Sequence, residues 1–324
     1  MSWREEVFEV SHDGGVVRGI VTRPDTGICD AAVILLPAGL KDRVGPHRLY
    51  VQLARQLTRP GVLVLRLDAS GIGESDGELE TAINAVHYRR IQSGLFVDDC
   101  LSAMRILAER EGVQRFVLGG LCGGAISAQL AAAAAPSMVA GVLSLSHVAV
   151  LDDERPASAR TRSEVVSNSR AYLRKLFSAH AWRRLVSGES EWRDIWQNIS
   201  GIWHLLLERT GMGRRHWANE NPAFFTSFRQ LQNAGVDHLM LFGGRDARWT
   251  AFRELVVDGF LGGALHGKGY RIDVIAEANH EFYLRNWTQS VLDRTSDWLA
   301  MLVGSAQASS VDVTWALGSG KHPE

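Results

Sequence analysis

The stretch RFVLGGLCGGAISA, residues 115–128, decides how the rest of the chain is interpreted. An apolar run typical of a buried strand leads into an alanine-rich segment typical of a helix. Between them stands Cys122, flanked by glycine pairs at 119–120 and 123–124. Small residues on both sides let a strand and a helix approach closely around a sharp turn. The stretch therefore predicts a nucleophile elbow, in which the turn presents a reactive side chain above the sheet.

A second segment competes for this assignment. Gly73-Glu-Ser-Asp-Gly77 has the literal Gly-x-Ser-x-Gly pattern and also follows an apolar run, but no helical pattern begins at Asp76. We therefore assign the elbow to Cys122 and not to Ser75. The alternative for Cys122 is a small buried hydrophobic residue, which is the common role of free cysteine. Cys29 and Cys100 lack the glycine frame, and we expect them to be inert.

Composition excludes several classes of protein. The chain has 324 residues, with 35 basic and 36 acidic side chains, so its net charge of -1 gives no reason to expect a nucleic acid or a membrane surface as partner. Three cysteines cannot all pair, and their spacing suggests no zinc site, which favours a reducing cytoplasm. The charged N-terminus and the interrupted apolar stretches predict neither a signal peptide nor a membrane span. We expect no cofactor.

Strand and helix patterns alternate along most of the chain. A hairpin is expected at residues 7–21, and buried strands are expected at 31–36, 62–67, 115–121, 139–145, 238–242 and 270–275. Helical spacing occurs at 47–58, 97–111, 123–135, 250–257 and 287–302. Such alternation predicts an α/β fold, with a mostly parallel sheet covered by helices on both faces.

One long segment breaks this alternation. Between residues 151 and 235 strand patterns disappear and tryptophans accumulate, which predicts a helical cap between core segments 1–150 and 236–303, followed by a C-terminal tail at 304–324. Helical spacing places Trp192, Trp196 and Trp203 on one face. That face either packs the cap onto the core or also lines an acyl pocket.

The elbow requires an acid and a histidine further along the chain, each just after a core strand. Asp246 and His280 occupy such positions. We predict that His280 activates the Cys122 thiol and that Asp246 fixes the imidazole tautomer. For the oxyanion hole we expect the N–H of Gly123 and one N–H near Gly39 and Leu40.

Two further histidines are candidates for the substrate pocket. His47 lies in the loop after the strand at 31–36, where substrate contact and a surface position are equally consistent with the sequence. His147 follows the strand at 139–145 and either lines the pocket or packs as an ordinary buried or surface histidine.

Several sequence blocks resemble those of a known family. The chain is similar to α/β-hydrolases of the serine-aminopeptidase-like type, and most similar to the hydrolases encoded with the bacterial exosortase system, over about residues 4–303. The resemblance implies a hydrolase fold and a triad, and it implies little about substrate. The matching blocks are Arg43–Arg48, Arg66–Gly77, Gly120–Ala125, Ala171–Phe177 and Trp182–Gly188.

A cysteine nucleophile favours particular donors. Attack on an ordinary ester yields a thioester of higher energy, whereas attack on a thioester is nearly balanced. We therefore predict a thioesterase or acyltransferase that acts on a small acyl substrate. Two alternatives stay open: a carboxylesterase or lactone hydrolase with the same triad, and a non-catalytic binding protein of this fold. Cap arginines at 183–184 and 214–215 either meet coenzyme A or a carrier protein, or form a solvated helix face.

Overall fold

The computed structural model describes residues 2–12, 15–25, 27–59, 61–79, 84–152 and 219–317, and of residues 304–317 it describes only the backbone. Nine strands lie in these segments. They are β1 (Trp3–His12), β2 (Gly15–Pro24), β3 (Ala31–Leu36), β4 (Val62–Leu67), β5 (Arg115–Leu121), β6 (Val139–Leu145), β7 (Asp237–Gly243), β8 (His266–Gly267) and β9 (Tyr270–Ile275).

The strands form one mixed sheet in the order β1-β2-β4-β3-β5-β6-β7-β9-β8. Its central strands, from β4 to β9 in that order, run parallel. At one edge β2 is antiparallel to both β1 and β4, and at the other β8 is antiparallel to β9. The mostly parallel sheet predicted from the alternation of strand and helix patterns is confirmed.

Helices connect the strands and cover the sheet. The described helices are α1 (Leu49–Leu57), α2 (Asn84–Gln92), α3 (Val97–Glu111), α4 (Gly123–Ala134), α5 (Pro222–Ala234), α6 (Ala247–Phe252) and α7 (Arg285–Leu317). A π-helical segment, Arg253–Asp258, continues α6. None of these helices combines the length and the apolar character needed to cross a membrane.

Strand β3 shows why its sequence is apolar throughout. Successive side chains of a strand point to opposite faces of the sheet. Ala31, Val33 and Leu35 belong to an apolar cluster that also includes side chains of α1 and α7, while Ala32, Ile34 and Leu36 belong to one that includes side chains of α3. Because helices cover both faces, no position of this strand meets water, and each of its large side chains contributes roughly 1.5–3 kcal/mol.

The proposed cap falls largely outside the description. Residues 153–218, and with them Trp192, Trp196, Trp203 and the four cap arginines, lie outside the described residues. The chain leaves and re-enters the core at neighbouring points, since the Leu151 N–H donates to the Asn219 carbonyl over 2.8 Å. The described end of the segment, α5, packs into the core through Phe224 and Phe228. It supplies the helix that a crossover between parallel β6 and β7 requires.

Two helices differ from the sequence-based expectation. Helix α2 was not predicted, because its buried face contains the polar side chains of His87 and Gln92 and so shows little apolar periodicity. The buried side-chain amide of Gln92 is satisfied by its hydrogen bonds with Asp152. Helix α7 continues to Leu317, past the end expected at Leu302 and through the segment that we predicted as a separate tail. Gly304 and the serines after it have low helix propensity, which is why the pattern predicted an end there.

A buried tyrosine connects α1 to the end of β5. The Leu121 N–H donates to the Tyr50 hydroxyl over 2.7 Å, and Tyr50 is fully buried. Burial raises the pKa of this hydroxyl, which therefore stays protonated. The contact satisfies a backbone group immediately before Cys122, at the point where the strand turns into α4.

Replacing Tyr50→Phe removes the acceptor of the Leu121 N–H and leaves that group buried without a partner. We expect the free energy of unfolding, measured by urea denaturation, to fall by about 1–3 kcal/mol. Tyr283→Phe is the matched control, because Tyr283 is 56% exposed, and it should change stability by less than about 0.5 kcal/mol. Equal losses in the two variants would contradict this role of Tyr50.

Candidate active site

Cys122 occupies a strained turn between β5 and α4. Its backbone has φ 55° and ψ -109°, a conformation that non-glycine residues rarely adopt and that costs about 1–3 kcal/mol. Close backbone contacts hold it there. A Cβ on Gly120 would lie 2.6 Å from the carbonyl carbon of Gly124, and one on Gly124 would lie 2.5 Å from the carbonyl oxygen of Leu36. The glycine frame is therefore required by the contact of α4 with β5 and β3.

Asp246 and His280 meet beside the thiol. Asp246 follows β7 and His280 follows β9, so both stand at the carboxyl edge of the sheet, where Cys122 follows β5. The Asp246 Oδ2 lies 2.7 Å from the His280 Nδ1. The imidazole also lies near enough to the Cys122 thiol for the two groups to shift each other's pKa. The structure thus brings together the three residues that the sequence selected for a triad.

The charges of these groups depend on one another. Burial opposes the Cys122 thiolate, but hydrogen bonding to His280 and the charge of Arg248 outweigh it and lower the pKa of the thiol. Burial likewise opposes the imidazolium, yet the hydrogen bonds to Asp246 and Cys122 raise the pKa of His280 to about 9. The pKa of Asp246 is lowered against its own burial, chiefly by His280. The arrangement favours a thiolate–imidazolium pair with an ionised carboxylate.

Arg248 is a site residue that sequence reasoning missed. Its Nη1 donates to the Cys122 Sγ over 3.1 Å, and its backbone N–H donates to the Asp246 Oδ1 over 2.9 Å. Asp246 is thus also the N-cap of α6. The one sequence signal is that Arg248 stands two residues after Asp246. Nothing in that spacing says that the guanidinium turns toward the elbow.

Ser146 was also missed. It has φ 45° at the end of β6, and its hydroxyl donates to the His280 carbonyl over 3.0 Å. The same side chain lies near the Asp246 carboxylate and contributes to the lowering of its pKa. Ser146 therefore contacts both the loop that carries Asp246 and the loop that carries His280.

The predicted oxyanion-hole residues lie next to one another. A Cβ on Gly123 would be 3.1 Å from the Gly39 Cα. The Gly39 N–H already donates to the Pro37 carbonyl over 2.9 Å. For the N–H groups of Gly123 and Leu40, the described part of the chain provides no hydrogen-bond acceptor. Gly123 and Leu40 are thus the better candidate pair of donors.

His47 contacts the histidine loop and not a closed pocket. Its Nε2 lies 2.7 Å from the Glu281 carbonyl, and because a carbonyl only accepts, this nitrogen carries the proton. Lys41 forms an ion pair with the Glu281 carboxylate. These contacts tie the loop after β3 to the loop of His280. The His47 side chain is exposed.

His147 is buried and neutral. Its Nε2 lies 2.8 Å from the Gln129 Oε1 and its Nδ1 lies 3.1 Å from the Val148 carbonyl oxygen, and its ring meets Phe224 edge to face. Burial lowers the pKa of His147 to about 3. The residue also lines a cavity of about 90 Å³ beside Arg248. A role for His147 in binding substrate stays a prediction.

Ser75, which competed with Cys122 for the elbow assignment, has a structural role in its own loop. The Ser75 hydroxyl donates to the Asp68 carbonyl and accepts the Arg18 N–H, each over 2.8 Å, so it is engaged with the backbone of its own loop and of β2.

Cys100 is buried and Cys29 half-buried, and both thiols are free. Across the described segments, no group of three or more His, Cys, Asp or Glu side chains is placed to hold a metal ion.

Comparisons with solved structures agree with this fold. The chain is similar to a dienelactone hydrolase from Anabaena variabilis, with 16% identity and a TM-score of 0.52, covering 92% of this chain and 98% of the other. It is equally similar to Est1E from Butyrivibrio proteoclasticus, solved with ferulic acid, at 13% identity, a TM-score of 0.52 and coverage of 92% and 99%. A cold-adapted esterase from an Arctic intertidal metagenomic library gives 15% identity, a TM-score of 0.50 and coverage of 93% and 99%. At these identities the likeness shows the fold alone, that of α/β-hydrolases.

Sequence comparison identifies the family. No curated protein sequence gives a significant match. The family model described as serine aminopeptidase, S33, matches residues 30–194, slightly more than half of the chain. The match includes the elbow, the loop after β3 and the Ser75 loop. Although the name of that family refers to serine and this chain has Cys122 at the elbow, the chain belongs to the S33 serine aminopeptidase family of α/β-hydrolases.

Proposed function

We propose that the protein is an acyl-transfer enzyme in which Cys122 is the covalent nucleophile, His280 the general base and acid, and Asp246 the group that orients the imidazole. The observation that carries the proposal is the strained Cys122 backbone beside a His280–Asp246 pair joined over 2.7 Å. A non-catalytic protein gains nothing from holding a buried thiol in this costly conformation next to two ionised groups.

The reaction follows from the positions of these groups. The Cys122 thiolate attacks the acyl carbonyl carbon, a C–S bond forms, and the oxygen takes the negative charge toward the N–H groups of Gly123 and Leu40. When the tetrahedral adduct collapses, the bond to the leaving group breaks and the His280 imidazolium gives it a proton. His280 then removes a proton from water, an alcohol or an amine, which attacks the acyl-cysteine and restores the thiolate.

The thiol nucleophile favours a thioester donor. Transfer from one thioester to another is nearly balanced in energy, whereas transfer from an ordinary ester to Cys122 is uphill. It remains a prediction that coenzyme A or a carrier protein carries the acyl group, and that the cap arginines bind this carrier. The similarity to hydrolases of the exosortase system also remains a prediction. A carboxylesterase or lactone hydrolase would use the same groups, and rates on matched thioester and oxoester donors separate the two.

Acylation of Cys122 can be observed directly. Incubation with a panel of acyl thioesters should add the acyl mass to the wild-type protein by intact-mass spectrometry, and peptide mapping should place it on Cys122. Cys122→Ala should not be labelled, whereas Cys29→Ala and Ser75→Ala should be labelled as the wild type is.

Three results would contradict this assignment. If Cys122→Ala is labelled, the nucleophile lies elsewhere. The same conclusion follows if a folded Ser75→Ala variant is no longer labelled. Absence of acylation with every thioester and oxoester would leave the non-catalytic alternative. Faster acylation by oxoesters than by matched thioesters would favour the esterase alternative.

The thiolate–imidazolium pair predicts an altered pH profile. Because the pKa of Cys122 is lowered, alkylation by iodoacetamide should stay fast at neutral pH and fall only as the pH drops through that lowered pKa. His280→Ala removes the hydrogen bond to the thiol, so the midpoint of the alkylation profile should move upward and the rate at pH 7 should fall by roughly tenfold or more. Asp246→Asn should act in the same direction through His280.

Cys29 serves as an internal reference in the same digests, because burial raises its pKa and no imidazole faces it among the described groups. An unchanged Cys122 profile in His280→Ala would show that His280 does not control the ionisation of the thiol.

A further inference from the structure

Arg248 stands closer to the reacting atom than the proposed mechanism requires. Its Nη1 lies 3.1 Å from the Cys122 Sγ, and its backbone is fixed by the Asp246 carboxylate at the start of α6. The residue is only partly exposed. Arg248 is thus held through both its backbone and its side chain. Its guanidinium can therefore contact a group that becomes bonded to the sulfur.

The pairing of this guanidinium differs from that of comparable arginines. Arg43 and Arg66 are also sheltered from solvent, and each forms an ion pair with a carboxylate, of Asp68 and Glu5 respectively. In the described segments no carboxylate lies within 4.0 Å of the Arg248 guanidinium, whose hydrogen-bonded partner there is the Cys122 thiol. A guanidinium has five N–H donors, and sheltering its charge from water is costly unless an anion compensates it. The Arg248 guanidinium is therefore suited to bind an anion.

The neighbouring cavity has room for a short chain. It measures about 90 Å³ and is lined by Arg248 together with His147, Val148, Ala149, Val150, Asp152, Ala247, Ala251, Phe252 and Leu255. Arg248 carries the positive charge of the lining, because burial keeps His147 neutral. The Asp152 carboxylate, which hydrogen-bonds to the Gln92 side chain over 2.9 Å, is the negative group of the lining and helps to raise the pKa of Arg248.

Acylation changes the charge that Arg248 faces. At rest the guanidinium faces the Cys122 thiolate, and the more distant carboxylates of Asp152 and Asp246 add negative charge near it. When the sulfur becomes a thioester it loses its charge, and Arg248 is left beside an uncharged atom. A carboxylate carried by the acyl group a few carbons from the carbonyl would replace the lost anion and could take two parallel hydrogen bonds from the planar guanidinium.

We propose that Arg248 anchors a carboxylate of the acyl group, so that the preferred donors are thioesters of short dicarboxylic acids. The inference rests on the proposed acylation of Cys122. Arg248 then selects the acyl group in addition to stabilising the thiolate. A charged hydrogen-bonded pair of this kind corresponds to about 10- to 100-fold in rate between an acid and its neutral analogue.

Two matched donors test the proposal by steady-state kinetics. We would compare the N-acetylcysteamine monothioester of glutaric acid with its methyl ester, which has the same chain and no charge. Wild type should show a kcat/KM about 10- to 100-fold higher for the acid. Arg248→Met should process both slowly and without preference, Arg248→Lys should keep part of the preference, and Arg253→Met, an exposed arginine of the following segment, should keep all of it.

Alkylation provides a readout that does not depend on turnover. The rate ratio of iodoacetate, an anion, to iodoacetamide, which is neutral, should be higher for Cys122 than for Cys29, and Arg248→Met should lower the Cys122 ratio by about tenfold. A role in thiolate stabilisation alone would slow both reagents by the same factor and leave the ratio unchanged.

The outcomes separate this inference from the proposed function. Acylation of Cys122 by both donors at equal rates, or a preference that survives in Arg248→Met, would overturn the role of Arg248 and leave the acyl-transfer proposal intact. Absence of acylation by either donor, or by any other thioester, would overturn the proposed function and with it the substrate class.

Discussion

The close approach of α4 to β5 and β3 is the constraint on which the candidate site depends. Side chains at Gly120 or Gly124 would collide with backbone atoms at 2.5–2.6 Å, so only glycine allows the strand to turn into the helix within one residue. That residue is Cys122, and its positive φ follows from the turn. The strain is tolerated because the surrounding contacts, including the hydroxyl of Tyr50 on the Leu121 N–H, fix both sides of the turn.

Charges alternate in sign through the buried site. The Asp246 carboxylate faces the His280 imidazole, which faces the Cys122 thiol, which faces the Arg248 guanidinium. Each group alone would be costly to bury in its charged form, and each has its pKa moved toward that form by its neighbours. In the proposed mechanism, acylation of Cys122 removes one member of the series, so the charge at Arg248 would couple binding of a substrate to the chemistry at sulfur.

The loops that carry these groups are connected to one another. Ser146 donates its hydroxyl proton to the His280 carbonyl and lies near the Asp246 carboxylate, so it contacts two loops from one position at the end of β6. On the other side, Lys41 and His47 of the loop after β3 bind the side chain and the carbonyl of Glu281. Because neighbouring parallel strands end at the same edge, short contacts suffice to hold the loops of Asp246, His280 and Leu40 in register.

The sequence by itself determined the features that depend on local order. Continuous apolar runs predicted the central strands, the glycine frame predicted the turn at Cys122, and the positions after β7 and β9 indicated Asp246 and His280, because the carboxyl ends of parallel strands meet at one edge. Helix α2 escaped prediction, since its buried polar side chains are satisfied by residues distant in the chain. Only the tertiary structure decided that Arg248 turns toward Cys122, that Ser146 contacts two loops and that His147 is buried and neutral. It also decided that the Gly39 N–H is engaged, while the Leu40 N–H has no acceptor among the described residues. Those outcomes depend on side-chain direction and on contacts between distant segments, which neither periodicity nor spacing encodes.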